Sequence, residues 1–184
     1  LTNFKEGDSI KFGLDFKTLS LQYPRLILGE ITGFKSDPKR VAYDVVIQAE
    51  TGYMSMNGTP ESGPVKMPVA LMDVLAGHQL KEGVLTALLK REKTGKGYNV
   101  TASLEESAIA SLFNQASNFL MNDQIAKPIG THHPNIAPYG DLITCKNDET
   151  IVLAIGSDKQ FYLLCNILKD PELCDNPKFK HNSN

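Results

Sequence analysis

"VALMDVLAGHQL", residues 69–80, decides how the chain is read. An apolar run ends at Met72, a single carboxylate follows at Asp73, and a helical pattern then begins. The run "VKMPVALM" (65–72) reads as a strand, with Pro68 placing it at an edge or a strand start. From Asp73 to Lys90 the spacing is helical: Leu80, Val84, Ala87 and Leu88 fall on one face. A strand that hands over to a helix is the unit of an α/β fold, and the rest of the chain repeats it.

Upstream, "FKEGDSIKFGLDFKTLSLQYP" gives a short helix stopped at Pro24, and Arg25 to Thr32 gives a strand with the core "LIL". "KSDPKR" is a polar turn. "AYDVVIQAETGYM" reads as a helix closed by Gly52, and "NGTPESGP" (57–64) as a loop. Downstream, "REKTGKG" is a basic helix end with a glycine turn. "YNVTAS" is a third strand. Ile109, Leu112, Phe113, Ala116, Phe119 and Leu120 mark one amphipathic helix. Strands alternating with helices predict a largely parallel sheet. Near Lys127 the texture changes. "KPIGTHHPNIAPYG" is a loop with three prolines, "DLITCKNDETIVLAIG" a hairpin, and "DKQFYLLCNILK" a helix. A separate small α+β domain is expected from about Gly130.

The totals narrow the function classes. The chain has 184 residues, 41% apolar, with 19 basic and 21 acidic side chains. A net charge of -2 gives no electrostatic reason to expect nucleic acid or a membrane surface as partner. No run of about 18 apolar residues is present to span a bilayer. Cys145, Cys165 and Cys174 form no CxxC and read as reduced thiols of an intracellular protein. His132 and His133 adjoin without a cysteine pair, so no metal site is expected. The nucleotide-binding motifs GxGxxG and GxxxxGK[ST] are absent, and "KTGKG" has the wrong spacing. Neither end looks native, so a segment of a longer chain is expected.

Asp73 carries two readings. Asp is a preferred N-cap, and a cap is what it most often is at such a boundary. Ligands also bind beyond the carboxyl ends of strands in open α/β sheets. A carboxylate held there can attack an acyl carbon and form a covalent intermediate. The two roles can coexist.

Seven stretches in order carry a resemblance: "NFKEGDSIKFGLDF", "YPRLILGEITGF", "AYDVVIQAETGYM", "VALMDVLAGHQL", "ALLKREKTGKGYNVTASLEESAIA", "HHPNIAPYGDL" and "SDKQFYLLCNIL". Together they resemble the class III CoA-transferase family, which includes formyl-CoA transferase and α-methylacyl-CoA racemase. The resemblance covers essentially the whole chain. It implies a Rossmann-like, largely parallel α/β domain followed by a smaller α+β domain, in a chain about twice this length that forms an interlocked homodimer. Residues 1–128 would belong to the large CoA-binding domain, and 129–184 to the linker and the start of the small one.

The resemblance makes Asp73 the nucleophile. It would take the acyl group of an acyl-CoA as a mixed anhydride, with an aspartyl-CoA thioester as a further intermediate, and a small carboxylic acid as acceptor. Coenzyme A is the implied ligand, with no metal. Asn3, Phe4, Lys5 and Lys11 match one CoA-lining stretch, and Arg40, Val41, Ala42, Tyr43 and Asp44 a second. Phosphates need cations and adenine an apolar wall, although exposed lysines are ordinarily just solvated. His132 and His133 sit where family members carry a flap over the active site. Tyr43 stands where the racemases place a histidine, which favours transfer over racemisation. Asp158 corresponds to a racemase acid but reads by itself as a helix cap. The alternatives are an acyl-CoA racemase and a non-catalytic CoA-binding or oligomerisation module. The expected compartment is the cytoplasm, or a mitochondrial or peroxisomal matrix in a eukaryote.

Overall fold

A computed structural model describes residues 1–5 and 7–179. They divide into two compact units, Leu1–Asn57 with Pro64–Ala126, and Gly58–Gly63 with Lys127–Asn184.

The first unit opens with helices α1 (Asp8–Lys11) and α2 (Phe16–Gln22). Asp15 caps α2, accepting from the Thr18 amide at 2.9 Å. The chain then enters strand β1 (Ile27–Thr32). Helices α3 (Asp44–Glu50), α4 (Tyr53–Met56) and α5 (Leu71–Thr94) follow, then strand β2 (Tyr98–Ser103). β1 and β2 pair in parallel from Ile27↔Tyr98 to Thr32↔Ser103. Thr2 bridges the free side of β1 at Glu30, also in parallel. The α/β architecture with a parallel sheet is therefore as the sequence predicts.

Helix α5 dominates the crossover. At 24 residues it runs about 36 Å, nearly twice a six-residue strand. Its last turn lies at the amino ends of the strands, where the Gly97 amide bonds the Pro24 carbonyl at 2.7 Å. Its first turn therefore lies on the carboxyl-end side of the sheet. Leu80 and Ala87 are buried and Val84 and Leu88 half-buried, the face that the spacing predicts. Near the start, Met72 and Ala76 enter a core with Phe34, Ile47, Leu104 and Ala108.

Two expectations fail here. "VKMPVALM" is not a strand: residues 65–70 form an irregular strap, and α5 begins at Leu71. Pro64 and Pro68 lack amide donors, and the remaining polar groups are met otherwise. The Val65 amide bonds the Met54 carbonyl, and a buried side chain, Gln48, takes the Met67 amide at 2.8 Å. The expected single helix over 109–120 is two, α6 (Leu104–Ala110) and α7 (Asn114–Asn122). Phe113 between them adopts φ 44, a left-handed value that breaks the helix. Phe119 and Leu120 of α7 are exposed, Leu120 at 77%. Ser103 closes β2 and caps α6, accepting from the Glu106 amide at 3.0 Å.

The second unit carries an antiparallel hairpin, β3 (Tyr139–Thr144) and β4 (Thr150–Ala154), then α8 (Asp158–Ile167) and α9 (Glu172–Asp175). The hairpin and the helix are as predicted. The cap of α8 is not: Ser157 accepts from the Gln160 amide, and Asp158 is the first helical residue. The three cysteines are unpaired. Burial, with a contribution from Cys174, pushes the Cys165 thiol up to about 11.

Candidate active site

Asp73 is the third residue of α5 and is exposed. It is not the cap. The boundary residue is Ala70, which has no side chain to offer. The carboxylate that serves the helix start comes from α3: Asp44 Oδ2 accepts the Met72 amide at 2.7 Å. One of the orphan amides of α5 is thus satisfied by a residue 28 positions upstream. Asp73 itself accepts no hydrogen bond among the described residues. Partial burial and the nearby negative charge of Asp44 hold its carboxyl above the ordinary Asp range.

Gln48 ties this corner together. It is wholly buried on α3. Its Nε2 donates to Asp44 Oδ1 and to the Val69 carbonyl, and its Oε1 accepts the Met67 amide. Asp44 and Gln48 lie four residues apart, on one helix face. Sequence reasoning passed over Gln48. Its signal was an amide at that spacing inside the apolar run "VVIQA".

Tyr43 is the extended residue before α3 and is 67% exposed. Ala42 comes so close to Gly33 that a Cβ there would strike it, which seats the residues before α3 against the end of β1. Val41 is exposed. Arg40 is held in place: its guanidinium pairs with Glu50 and stacks 4.1 Å from the Phe34 ring centre. That pairing keeps the Glu50 carboxyl below its usual range. Asp44 has both oxygens engaged inside the fold, one by the Met72 amide and one by the Gln48 side chain.

The other stretch lies along β1. Asn3 and Phe4 line an open cleft of about 320 Å³ with Leu1, Thr2, Leu14, Leu19 and Leu28. Phe4 also packs on Phe12, ring centres 5.9 Å apart. Lys5 is exposed, and exposed Lys11 pairs with Asp8 at 2.7 Å. In the second unit, His132 Nδ1 lies 2.6 Å from Asp141 Oδ1, and His133 meets the Tyr139 ring edge-on. Gly140, at φ 87, sits where a Cβ would collide with the Thr131 carbonyl, so this loop is closed on itself. Among the described residues no group of His, Cys, Asp and Glu could hold a metal, and no helix is long and apolar enough to cross a membrane.

A sequence profile described as CoA-transferase family III matches residues 1–184. The chain belongs to this family. Among relatives of family III, a succinate–glutarate CoA-transferase of Agrobacterium fabrum is 34% identical across 99% of this chain and 46% of its own length. A human succinyl-CoA:glutarate CoA-transferase is 34% identical over 98% and 41%. The crystal structure of a CaiB/BaiF family protein from Brucella suis superposes with a TM-score of 0.80 at 36% identity, covering 98% of this chain and 48% of that one. The chain thus spans just under half the length of the family III relatives it matches.

Proposed function

We propose that the full-length protein moves CoA from an acyl-CoA donor to a small carboxylic acid, with Asp73 as nucleophile. The observation that carries this reading is the division of labour at the start of α5. Asp44 performs the capping, and Asp73 is left exposed, unbonded and in the first helical turn. Family membership and relatives named for succinate and glutarate support CoA transfer with a small dicarboxylate.

The chemistry follows from the carboxylate. Asp73 attacks the thioester carbonyl, the C–S bond breaks, and an acyl-aspartyl anhydride forms as CoA thiolate leaves. The thiolate attacks the aspartyl carbonyl, giving an aspartyl-CoA thioester and releasing the donor acid. The acceptor carboxylate displaces the thiolate to form a second anhydride. Thiolate attack on its acyl carbon then yields the new acyl-CoA and restores Asp73. Each step exchanges one acyl bond for another, which is how covalent catalysis divides a difficult transfer. The α5 amino end, with its partial positive charge, favours the ionised carboxylate between turnovers.

In this reading the cleft at Asn3 and Phe4 offers an apolar wall to the CoA moiety, with Lys5 and Lys11 as cations for its phosphates. Arg40 to Tyr43 form a second CoA contact. A second copy in a homodimer would cover the exposed apolar residues of α7. Tyr43 in place of a histidine speaks for transfer over racemisation.

The test uses the full-length protein. It is incubated with a panel of acyl-CoAs, treated with hydroxylamine and mapped by peptide mass spectrometry. A hydroxamate at Asp73 that depends on acyl-CoA is expected. CoA binding without any label at Asp73 would remove the proposal.

A further inference from the structure

We propose that Gln48 is a positioning residue for the acyl step, holding the strap and the helix start that present Asp73; this rests on Asp73 being the nucleophile. Five groups form one closed chain of contacts. The Met67 amide binds Gln48 Oε1, Gln48 Nε2 reaches the Val69 carbonyl and Asp44 Oδ1, and Asp44 Oδ2 binds the Met72 amide. The contacts bracket residues 67–72, the segment that delivers the chain to Asp73. No β-ladder supports this segment, and Pro68 within it has no amide to donate.

Burial makes the arrangement selective. Gln48 is wholly buried beside Ile47 and Met72. A side chain there must present an acceptor to Met67 and a donor to Asp44 at once. An amide of this length does both at neutral pH, whereas an apolar side chain does neither and a carboxylate only accepts. Asp44 needs that donor, because its second oxygen is turned inward to cap α5. Removing the amide leaves the cap carboxylate half satisfied and the strap unpinned, while the CoA cleft at Asn3 and Phe4 shares none of these contacts. The effect therefore falls on the rate of acylation more than on CoA affinity, because only the CoA stretch that ends at Asp44 adjoins these contacts. A misplacement of about 1 Å at a reacting group can slow chemistry on the order of a hundred-fold.

Two variants of the full-length protein test this. Gln48→Leu removes both hydrogen-bonding ends. Gln48→Glu keeps the shape but donates only when protonated. The readouts are the first-order rate of acyl-CoA-dependent hydroxamate formation at Asp73 and the CoA dissociation constant by calorimetry. Gln48→Leu should slow labelling roughly ten- to a hundred-fold, with a far smaller change in CoA affinity. Gln48→Glu should be slow at neutral pH, and its rate relative to the wild type at the same pH should rise as pH falls, both proteins losing labelling as Asp73 takes up a proton. Wild-type labelling rates in both variants would overturn the proposal, as would CoA affinity falling in step with labelling. Should Gln48→Leu fail to fold, Gln48→Glu decides alone: a ratio of its rate to that of the wild type that does not rise in acid overturns the proposal. Labelled wild type with indifferent variants removes only the role of Gln48. Unlabelled wild type removes the nucleophile and this role together.

Discussion

Replacing Asp44 by Ala should destabilise the protein far more than replacing Asp73 by Ala, although Asp73 is the acid that lies inside helix α5. The magnitude follows from the contacts. Asp44→Ala removes the side chain that caps α5 through the Met72 amide, a loss of typically about 1 kcal/mol. It also takes away the acceptor of Gln48 Nε2, whose remaining partner is the Val69 carbonyl at 3.4 Å. An under-satisfied buried amide adds about 1–2 kcal/mol. The sum is about 2–3 kcal/mol, or a drop in Tm of about 5–10 °C for a domain of this size. Asp73→Ala breaks no hydrogen bond, and exposed sites of this kind usually change stability by less than about 0.5 kcal/mol. Differential scanning fluorimetry of both variants in the full-length protein, with circular dichroism to confirm the fold, reads the contrast. If Asp73→Ala lowers Tm as much as Asp44→Ala does, Asp73 is a structural cap after all and the division of labour is wrong.

Other consequences are as direct. Asp73→Asn should gain stability relative to the wild type as pH rises. The folded state holds the Asp73 proton more tightly than the unfolded chain does, so its contribution is full below the ordinary Asp range and lost as pH climbs through the raised value. Tm of both proteins across a pH series checks the sign, and a difference that shrinks towards neutrality contradicts it. Met72→Ala, at a fully buried core position, should cost about 2–5 kcal/mol by chemical denaturation. Ser103→Ala removes the α6 cap and should cost about 1 kcal/mol in the same assay. Gly33→Ala should weaken acyl-CoA binding, because its new Cβ displaces Ala42 and with it Tyr43; unchanged affinity by calorimetry would detach this turn from the ligand.

The parallel unit was legible because its signals are local. "RLILGEIT" and "YNVTAS" are apolar or β-branched runs bounded by turn residues, and α5 shows helical apolar spacing at Leu80, Val84, Ala87 and Leu88. The strap at 65–70 was misread because its composition is strand-like. What decides against a strand is long-range: Gln48, some twenty residues earlier, takes up the polar groups that a ladder would have used. The break at Phe113 has no Gly or Pro to announce it, although the box "SLEE" at 103–106 marks where α6 starts. At the site, periodicity put Asp73 at the boundary of α5 to within a few residues. It could not reveal which of two aspartates bonds the helix amides, because that depends on how α3 crosses the start of α5.

This division resolves the tension in the boundary residue. A carboxylate that caps a helix is stabilised by the amides it accepts, and each such bond lowers its reactivity as well as its pKa. A nucleophile needs the opposite: proximity to the helix end without capture by its amides. A sequence with one acid at the boundary forces one residue to serve both needs. Here α3 supplies a second acid, Asp44, whose oxygens are used up on Met72 and Gln48. Burial first, and then the Asp44 charge acting through space, raise the Asp73 pKa and keep the carboxylate a better base than a bonded one. The strap held by Gln48 places the two acids near each other without letting either share the other's amides. In the proposed reading stability and reactivity at the start of α5 fall to different residues, since Asp73→Ala spares the bonds that Asp44→Ala breaks.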